Sequence, residues 1–243
     1  MSIIDAGAGG DLATLVATAR AQHRHLLSEP ESKAFLRAHG IPVPAGQVVH
    51  DAAKAGRVLE AIGPPVVVKA IAPELTHKTD VGAVVFPVET PAAAEAACRT
   101  IATRVAAQRP DIALAGFLIE GYRPAQPEWI LALRNDPHFG PAIMFGLGGV
   151  FVEALRQVSF RLAPLRDEDI AALLSEQPAT RLLDGTRGRP PADRAALAEV
   201  FRHLSDLSQM PLVAREISEI EINPLVVGEH GVLALDAFIV LRS

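Results

Sequence analysis

The chain has 243 residues, 49% of them hydrophobic and 21% charged, and a net charge of −5. That balance fits a globular protein with one large domain or two small lobes, and it argues against nucleic acid or an anionic membrane as the main partner. The single cysteine, Cys98, excludes an intrachain disulfide framework and a cysteine zinc site. Cys98 falls in the apolar pattern of an Ala-rich helix, where a small core residue is expected rather than a nucleophile. No stretch approaches the ~20 apolar residues of a membrane span, and MSIIDAGAGG at the start lacks a basic segment followed by an apolar one. A cytoplasmic protein is expected.

The first residues, to about position 10, are small and Gly-rich and read as a lead-in. Ser28 and Glu31 form a capping-box pattern ahead of ESKAFLRAH, with Gly40 where a helix C-cap belongs. A short strand, GQVVH, follows, then a helix opened by Asp51 and closed by Gly63, then the strand PPVVVKAI. Thr90-Pro91 starts an Ala-rich helix that stops near Pro110. After Gly116 four apolar, β-rich runs appear in quick succession: FLIEGY, EWILALRN, PAIMFGL and VSFRLAPL. Two helical stretches cover about 167 to 209, separated by LLDGTRGRPP. The chain closes with EISEIEINPLVV and VLALDAFIVL, two strand patterns joined by the Gly-bounded turn GEHG. The whole is mixed α+β, with a boundary near 115 to 121.

The last hairpin holds the clearest chemical pattern. Strand alternation puts Glu219, Glu221 and Asn223 on one face of EISEIEIN. A turn centred on Glu229-His230 pairs Val227 with Val232, and counting back pairs Asn223 with Asp236. Directly opposed side chains have Cβ atoms roughly 4.5–5.5 Å apart. Such a set of oxygens suits Mg²⁺, which takes few protein ligands and completes its shell with phosphate and water. An ordinary solvated sheet face is the alternative, and Pro224 is a residue able to spoil the register.

Other residues are readable in two ways. Lys69 at the end of VVVK is either an edge residue reaching to water or a fixed cation. Glu120 and Glu128 flank a Pro-rich link, as surface charges or as acceptors for a sugar's hydroxyls. FGLGGVFVE supplies Gly146, Gly148 and Gly149, but it lacks Gly-Lys-Ser/Thr and does not match GxGxxG, so on its own it reads as a tight turn rather than a phosphate cradle. THKTDVGAV follows a core strand at once with His77, Lys78, Thr79, Asp80 and Gly82, either a solvated turn or a loop that handles phosphate.

The order of these segments is more informative than any one of them. Lys69, THKTDVGAV, Glu120, Glu128, RNDPHFGPAIMFGLGGVFVEAL, RLAPL, RGRPPAD and EIEINPLVV with GVLALDA run in one succession from about Ser28 to Leu241. That succession resembles the ATP-grasp subunit or domain of the ADP-forming (NDP-forming) acyl-CoA synthetases, relatives of succinyl-CoA synthetase β. The resemblance implies an α+β ATP-grasp fold with a lead-in and helix over 1–27, a smaller lobe over 28–115 and a larger lobe over 116–243, the nucleotide lying between the lobes. It implies an acid–thiol ligase that uses ATP/ADP and Mg²⁺ and moves phosphoryl between histidine and nucleotide.

Residue by residue, the resemblance implies that Lys69 contacts nucleotide phosphates, with Lys78 and the glycines Gly146, Gly148 and Gly149 as further contacts. Glu120 lies where neighbouring backbone groups read adenine, and Glu128 resembles the glutamate on the ribose. Asn223 and Asp236 match the Mg²⁺ ligands, and Glu221 the carboxylate that steadies an incoming phosphohistidine. His77 matches the histidine of an HKSD-type loop and is the expected phosphoryl carrier, since imidazole is neutral near pH 7 and makes a labile bond to phosphorus. Two residues depart from the pattern: Ala83 replaces a frequent second glycine, leaving the loop less free to adopt positive φ, and Phe238 replaces a common arginine. Nothing in the chain resembles a CoA-binding domain, so a separate α-type subunit and a hetero-oligomer are implied. A non-catalytic nucleotide sensor and a carboxylate–amine ligase are the other readings weighed.

Overall fold

The structure is a computed structural model that describes residues 11–72, 75, 78–124, 127–149, 157–185, 188 and 190–242. Two compact units emerge, one of residues 1–9, 28–34 and 44–124, the other of residues 10–27, 35–43 and 125–243. Among the described residues no helix is long and apolar enough to cross a membrane.

The first unit is built on a four-stranded antiparallel sheet, ordered β2 (Gly46–Val49), β5 (Gly116–Gly121), β3 (Val66–Ile71) and β4 (Val84–Val88). All six residues of β3, including its β-branched run, are buried, because β3 has a paired neighbour on each side. Lys69 is therefore not an edge residue, which removes the first of its two readings. Helices α3 (Ala55–Ile62) and α4 (Pro91–Gln108) cover the sheet. The α4 helix starts where Thr90 accepts from Ala93 N–H at 3.2 Å with Pro91 next in line. It buries the stripe Ala94, Ala97, Cys98, Ile101 and Val105, spaced to share one face. Burial pushes the Cys98 thiol up to about 11, as befits an inert core residue.

A division drawn at 115/116 from the change in composition is corrected by this sheet. The β5 strand pairs on both edges with β2 and β3, so the first unit runs on to Pro124. Apolar character alone does not say which sheet a strand joins.

The second unit holds the larger sheet, ordered β1 (Leu26–Leu27), β11 (Ala237–Leu241), β9 (Ile217–Gly228), β6 (Glu128–Asp136), β7 (Gly140–Leu147) and β8 (Val158–Leu162), with β10 (Gly231–Ala234) also on β9. Helix α1 spans Leu12–Ala21, and α2, Glu29–Ala38, contributes to both units. The later helices are α5 (Asp167–Leu173), α6 (Arg194–Ser208) and α7 (Pro211–Glu216). The α6 helix packs on β6 and β7, and there Trp129 stacks on Phe145 at 5.1 Å while Phe145 meets Phe201 edge-on at 5.1 Å.

The closing hairpin keeps the counted register: Val227 pairs with Val232, and Asn223 N–H donates to Asp236 O at 3.1 Å. Pro224 does not shift it, since Leu235 N–H reaches Pro224 O at 2.9 Å. The second strand pattern is in fact two strands. It breaks at Leu235-Asp236, where Asp236 Oδ1 turns back to accept from Ala237 N–H at 2.8 Å.

Trp129 is wholly buried, so Trp129→Ala is expected to cost about 3–5 kcal/mol through lost contacts and the cavity left behind. Trp129→Phe is expected to cost less, because among the described residues the indole Nε1 has no hydrogen-bond partner to lose. Urea unfolding of both variants measures the difference.

Candidate functional site

In the first unit the charged residues form a closed arrangement. Lys33 Nζ lies 2.7 Å from Glu29 Oε1 and 2.8 and 2.7 Å from the two Glu120 oxygens. Lys69 Nζ closes the ring, at 2.6 Å from Glu29 Oε1 and 3.1 Å from Glu120 Oε2. Lys78 sits outside the ring, its Nζ 2.9 Å from Glu29 Oε2. Glu29 occupies the first turn of α2, where a carboxylate also suits the helix dipole. Burial pushes its carboxyl up, but Lys33, Lys69 and Lys78 outweigh burial and hold it well below the usual carboxylate range. The sign follows: its contribution to stability is present above the unfolded-state pKa and is lost as pH falls through the folded one.

This ring corrects one expectation and adds two residues. Glu120 is fully buried with both oxygens on Lys33, so it is neither a surface charge nor a sugar acceptor. Beside it, Gly121 and Tyr122 N–H groups are bonded to Ala45 and Pro65 carbonyls at 3.0 and 2.9 Å. Glu29 and Lys33 were not singled out from the sequence. Their only local signal is an i,i+4 spacing on a helix, which ordinarily means a weak solvent-exposed pair.

Lys78 opens the turn that follows β3. Ala83 N–H bonds Lys78 O at 2.8 Å and Gly82 N–H bonds Thr79 O at 3.0 Å, the paired closure of a Schellman turn, with Gly82 at φ +63°. The left-handed residue is Gly82, while Ala83 is buried in the core with an ordinary φ. The expectation that Ala83 restricts this loop is therefore corrected. His77 lies outside the described residues.

In the second unit, six of the residues picked from sequence come together. Gly148 N–H donates to Glu128 O at 2.8 Å, and Gly149 N–H approaches Asn223 Oδ1 at 3.4 Å. Asn223 Nδ2 reaches toward Glu221 Oε1 at 3.5 Å, and Asp236 is the backbone partner of Asn223. Phe238 stands opposite Glu221, as the register count requires. Gly149 has φ +59°, and a Cβ there would run into Glu128 Oε2. A Cβ on Gly148 would lie 2.7 Å from the Trp129 carbonyl carbon. Gly146 is different. It sits inside β7 opposite Val158, where a Cβ would strike Gln157 O, so close strand packing by itself accounts for the glycine.

The donor set suits Mg²⁺ with a phosphate ligand. Asn223 and Asp236 offer hard oxygens from paired positions, and the backbone at Gly149 is stripped of side-chain bulk beside them. Burial raises the Glu128 carboxyl above its ordinary value. A folded-state pKa that is raised makes stability fall as pH rises through it. Glu128→Gln is expected to be more stable than the parent at pH 7, with the gain vanishing near pH 4, by urea unfolding at both values.

The ATP-grasp domain family model matches residues 18–241. The chain is 39% identical over 194 residues to the acetate–CoA ligase [ADP-forming] I subunit beta of Pyrococcus furiosus, covering 80% of this chain and 83% of that one. Among solved structures it is similar to the dinucleotide forming acetyl-coenzyme A synthetase 1 of Ca. Korarchaeum cryptofilum in complex with coenzyme A, Ca-AMPCP and HgCl⁺ (TM-score 0.90, 35% identity, covering 96% of this chain and 100% of the other). A second structure of that enzyme, a Se-Met derivative with coenzyme A and Mg-AMPPCP, has its phosphohistidine segment pointing towards the nucleotide binding site (TM-score 0.80, 34% identity, 94% and 99% covered). With its frame matched almost end to end, the chain belongs to the ATP-grasp family, among the β-type subunits and domains of the ADP-forming acyl-CoA synthetases.

Proposed function

We propose that the chain is the nucleotide-handling subunit of an ADP-forming acyl-CoA ligase, catalysing acyl-CoA + ADP + phosphate ⇌ carboxylate + ATP + CoA together with an α-type partner. The observation that carries the reading is the meeting of Asn223, Asp236, Glu128 and Gly149 in the second unit of a chain so close to a named ligase β subunit. The partner holds coenzyme A and the acyl group and makes a hetero-oligomer with this chain in the cytoplasm. Neither nucleic acid nor membrane takes part, in keeping with the net charge of −5.

A bound Mg-nucleotide supplies charge neutralisation at the phosphoryl oxygens. The chain's own residues do the rest. Asn223 and Asp236 hold the metal through oxygen. Glu128 accepts hydrogen bonds from the ribose hydroxyls, and Gly148 and Gly149 let the backbone approach. In the first unit Lys69 and Lys78 supply positive charge to phosphate. Glu221 receives an imidazole N–H and so steadies a histidine that carries phosphoryl. His77 is the carrier on this chain, since an imidazole nitrogen makes a labile bond to phosphorus.

Two sets of variants test this. Asn223→Ala and Asp236→Asn are each expected to weaken Mg-ATP binding about tenfold or more, roughly 1.4 kcal/mol, measured by calorimetry on the purified chain. His77→Ala is expected to abolish acyl-CoA-dependent ATP synthesis in the complex with the α-type partner while leaving Mg-ATP affinity near the parent's. The reading is overturned if the parent chain, with and without partner, binds no Mg-nucleotide. Unchanged turnover in His77→Ala would remove the carrier role alone.

A further inference from the structure

Glu29 collects three ammonium groups on one carboxylate, and the two oxygens are used differently. Oε1 accepts directed hydrogen bonds from Lys33 at 2.7 Å and Lys69 at 2.6 Å. Oε2 has Lys78 Nζ at 2.9 Å as a charge partner but accepts no aligned hydrogen bond among the described residues. The Lys78 and Lys69 side chains are slightly exposed, at 11% and 9%, whereas Lys33 is fully buried. Lys78 is carried by the turn over residues 78–83, whereas Lys69 lies within the paired strand β3 and Lys33 within α2.

An ammonium buried without an anion is costly, so lysines meant for phosphate need a counter-ion while no phosphate is bound. A carboxylate oxygen and a phosphate oxygen make the same demand on an ammonium, a charge-assisted contact at about 2.7–2.9 Å. If Lys78 leaves, Oε1 keeps Lys33 and Lys69, so the Glu29 charge remains compensated.

We propose that Glu29 is a built-in stand-in for phosphate, holding Lys78 in the nucleotide-free protein and surrendering it to a phosphate-bearing ligand. This rests on the assignment of Lys69 and Lys78 to nucleotide phosphate made above. Glu29 then acts as an intramolecular competitor. It keeps the cations buried and charged before binding, and it lowers affinity enough for nucleotide to leave after transfer.

Glu29→Gln keeps the side chain's shape and removes its charge, so it separates competition from scaffolding. Without ligand the variant is expected to melt below the parent. Calorimetry is expected to show it binding Mg-ATP about tenfold more tightly, with adenosine affinity unchanged because adenosine has no phosphate to compete. A merely structural role would lower the melting temperature and leave Mg-ATP affinity equal or weaker, and that result overturns the proposal. Equal tightening of adenosine also overturns it. Should Glu29→Gln fail to fold, Glu29→Asp draws the carboxylate back by one methylene and is expected to tighten Mg-ATP in the same direction; equal or weaker binding again overturns the inference. A parent chain that binds Mg-ATP while the variants show no tightening defeats only this inference, whereas a parent that binds none defeats the functional reading beneath it.

Discussion

A closed ring of buried charge, Glu29–Lys33–Glu120–Lys69, is the constraint on which the first unit depends. It joins the opening turn of α2 to the interiors of β3 and β5, three segments that are remote in sequence. Each member is tolerable inside the protein only because the others are there. Removal of one partner from a buried pair typically costs about 3–5 kcal/mol, since a bare charge is left behind. The ring therefore couples secondary structure to the proposed function, because the lysine it fixes on β3 is the one assigned above to nucleotide phosphate.

In the second unit the constraint is strand register rather than charge. The long strand β9 pairs with β6 on one edge and with β10 and then β11 on the other. Where β10 gives way to β11, the interruption lies at Leu235-Asp236, directly opposite Asn223-Pro224. An interruption there puts an amide and a carboxylate at paired positions where ladder hydrogen bonding is irregular. Gly148 and Gly149 then complete the surroundings, held against the start of β6 through the Glu128 carbonyl. The apolar stack of Trp129, Phe145 and Phe201 packs α6 against β6 and β7 of the same sheet.

The two units thus contribute different chemistry. One holds cations whose charge is already balanced internally, and the other holds an amide and a carboxylate at paired positions beside glycine backbone.

Much of this was legible in the sequence because it is local. The Ser28/Glu31 cap, the Thr90-Pro91 helix start and the Val227–Val232 register each follow from hydrogen-bonding rules that operate over a few residues. The Asn223–Asp236 pairing follows from the last of these by counting alone. Other features had no local signature. Apolar runs do not reveal which sheet they enter, so the pairing of β5 with β2 and β3 has no local signature. Glu120 reads as an ordinary strand-end carboxylate until Lys33, 87 residues away, is folded against it. Glu29 reads as half of a surface helix pair until Lys69, 40 residues on, closes the ring. Short-range periodicity and turn chemistry determined the elements and the Asn223–Asp236 pairing, while the burial of charge depends on which distant segments meet, and only the tertiary structure decided that.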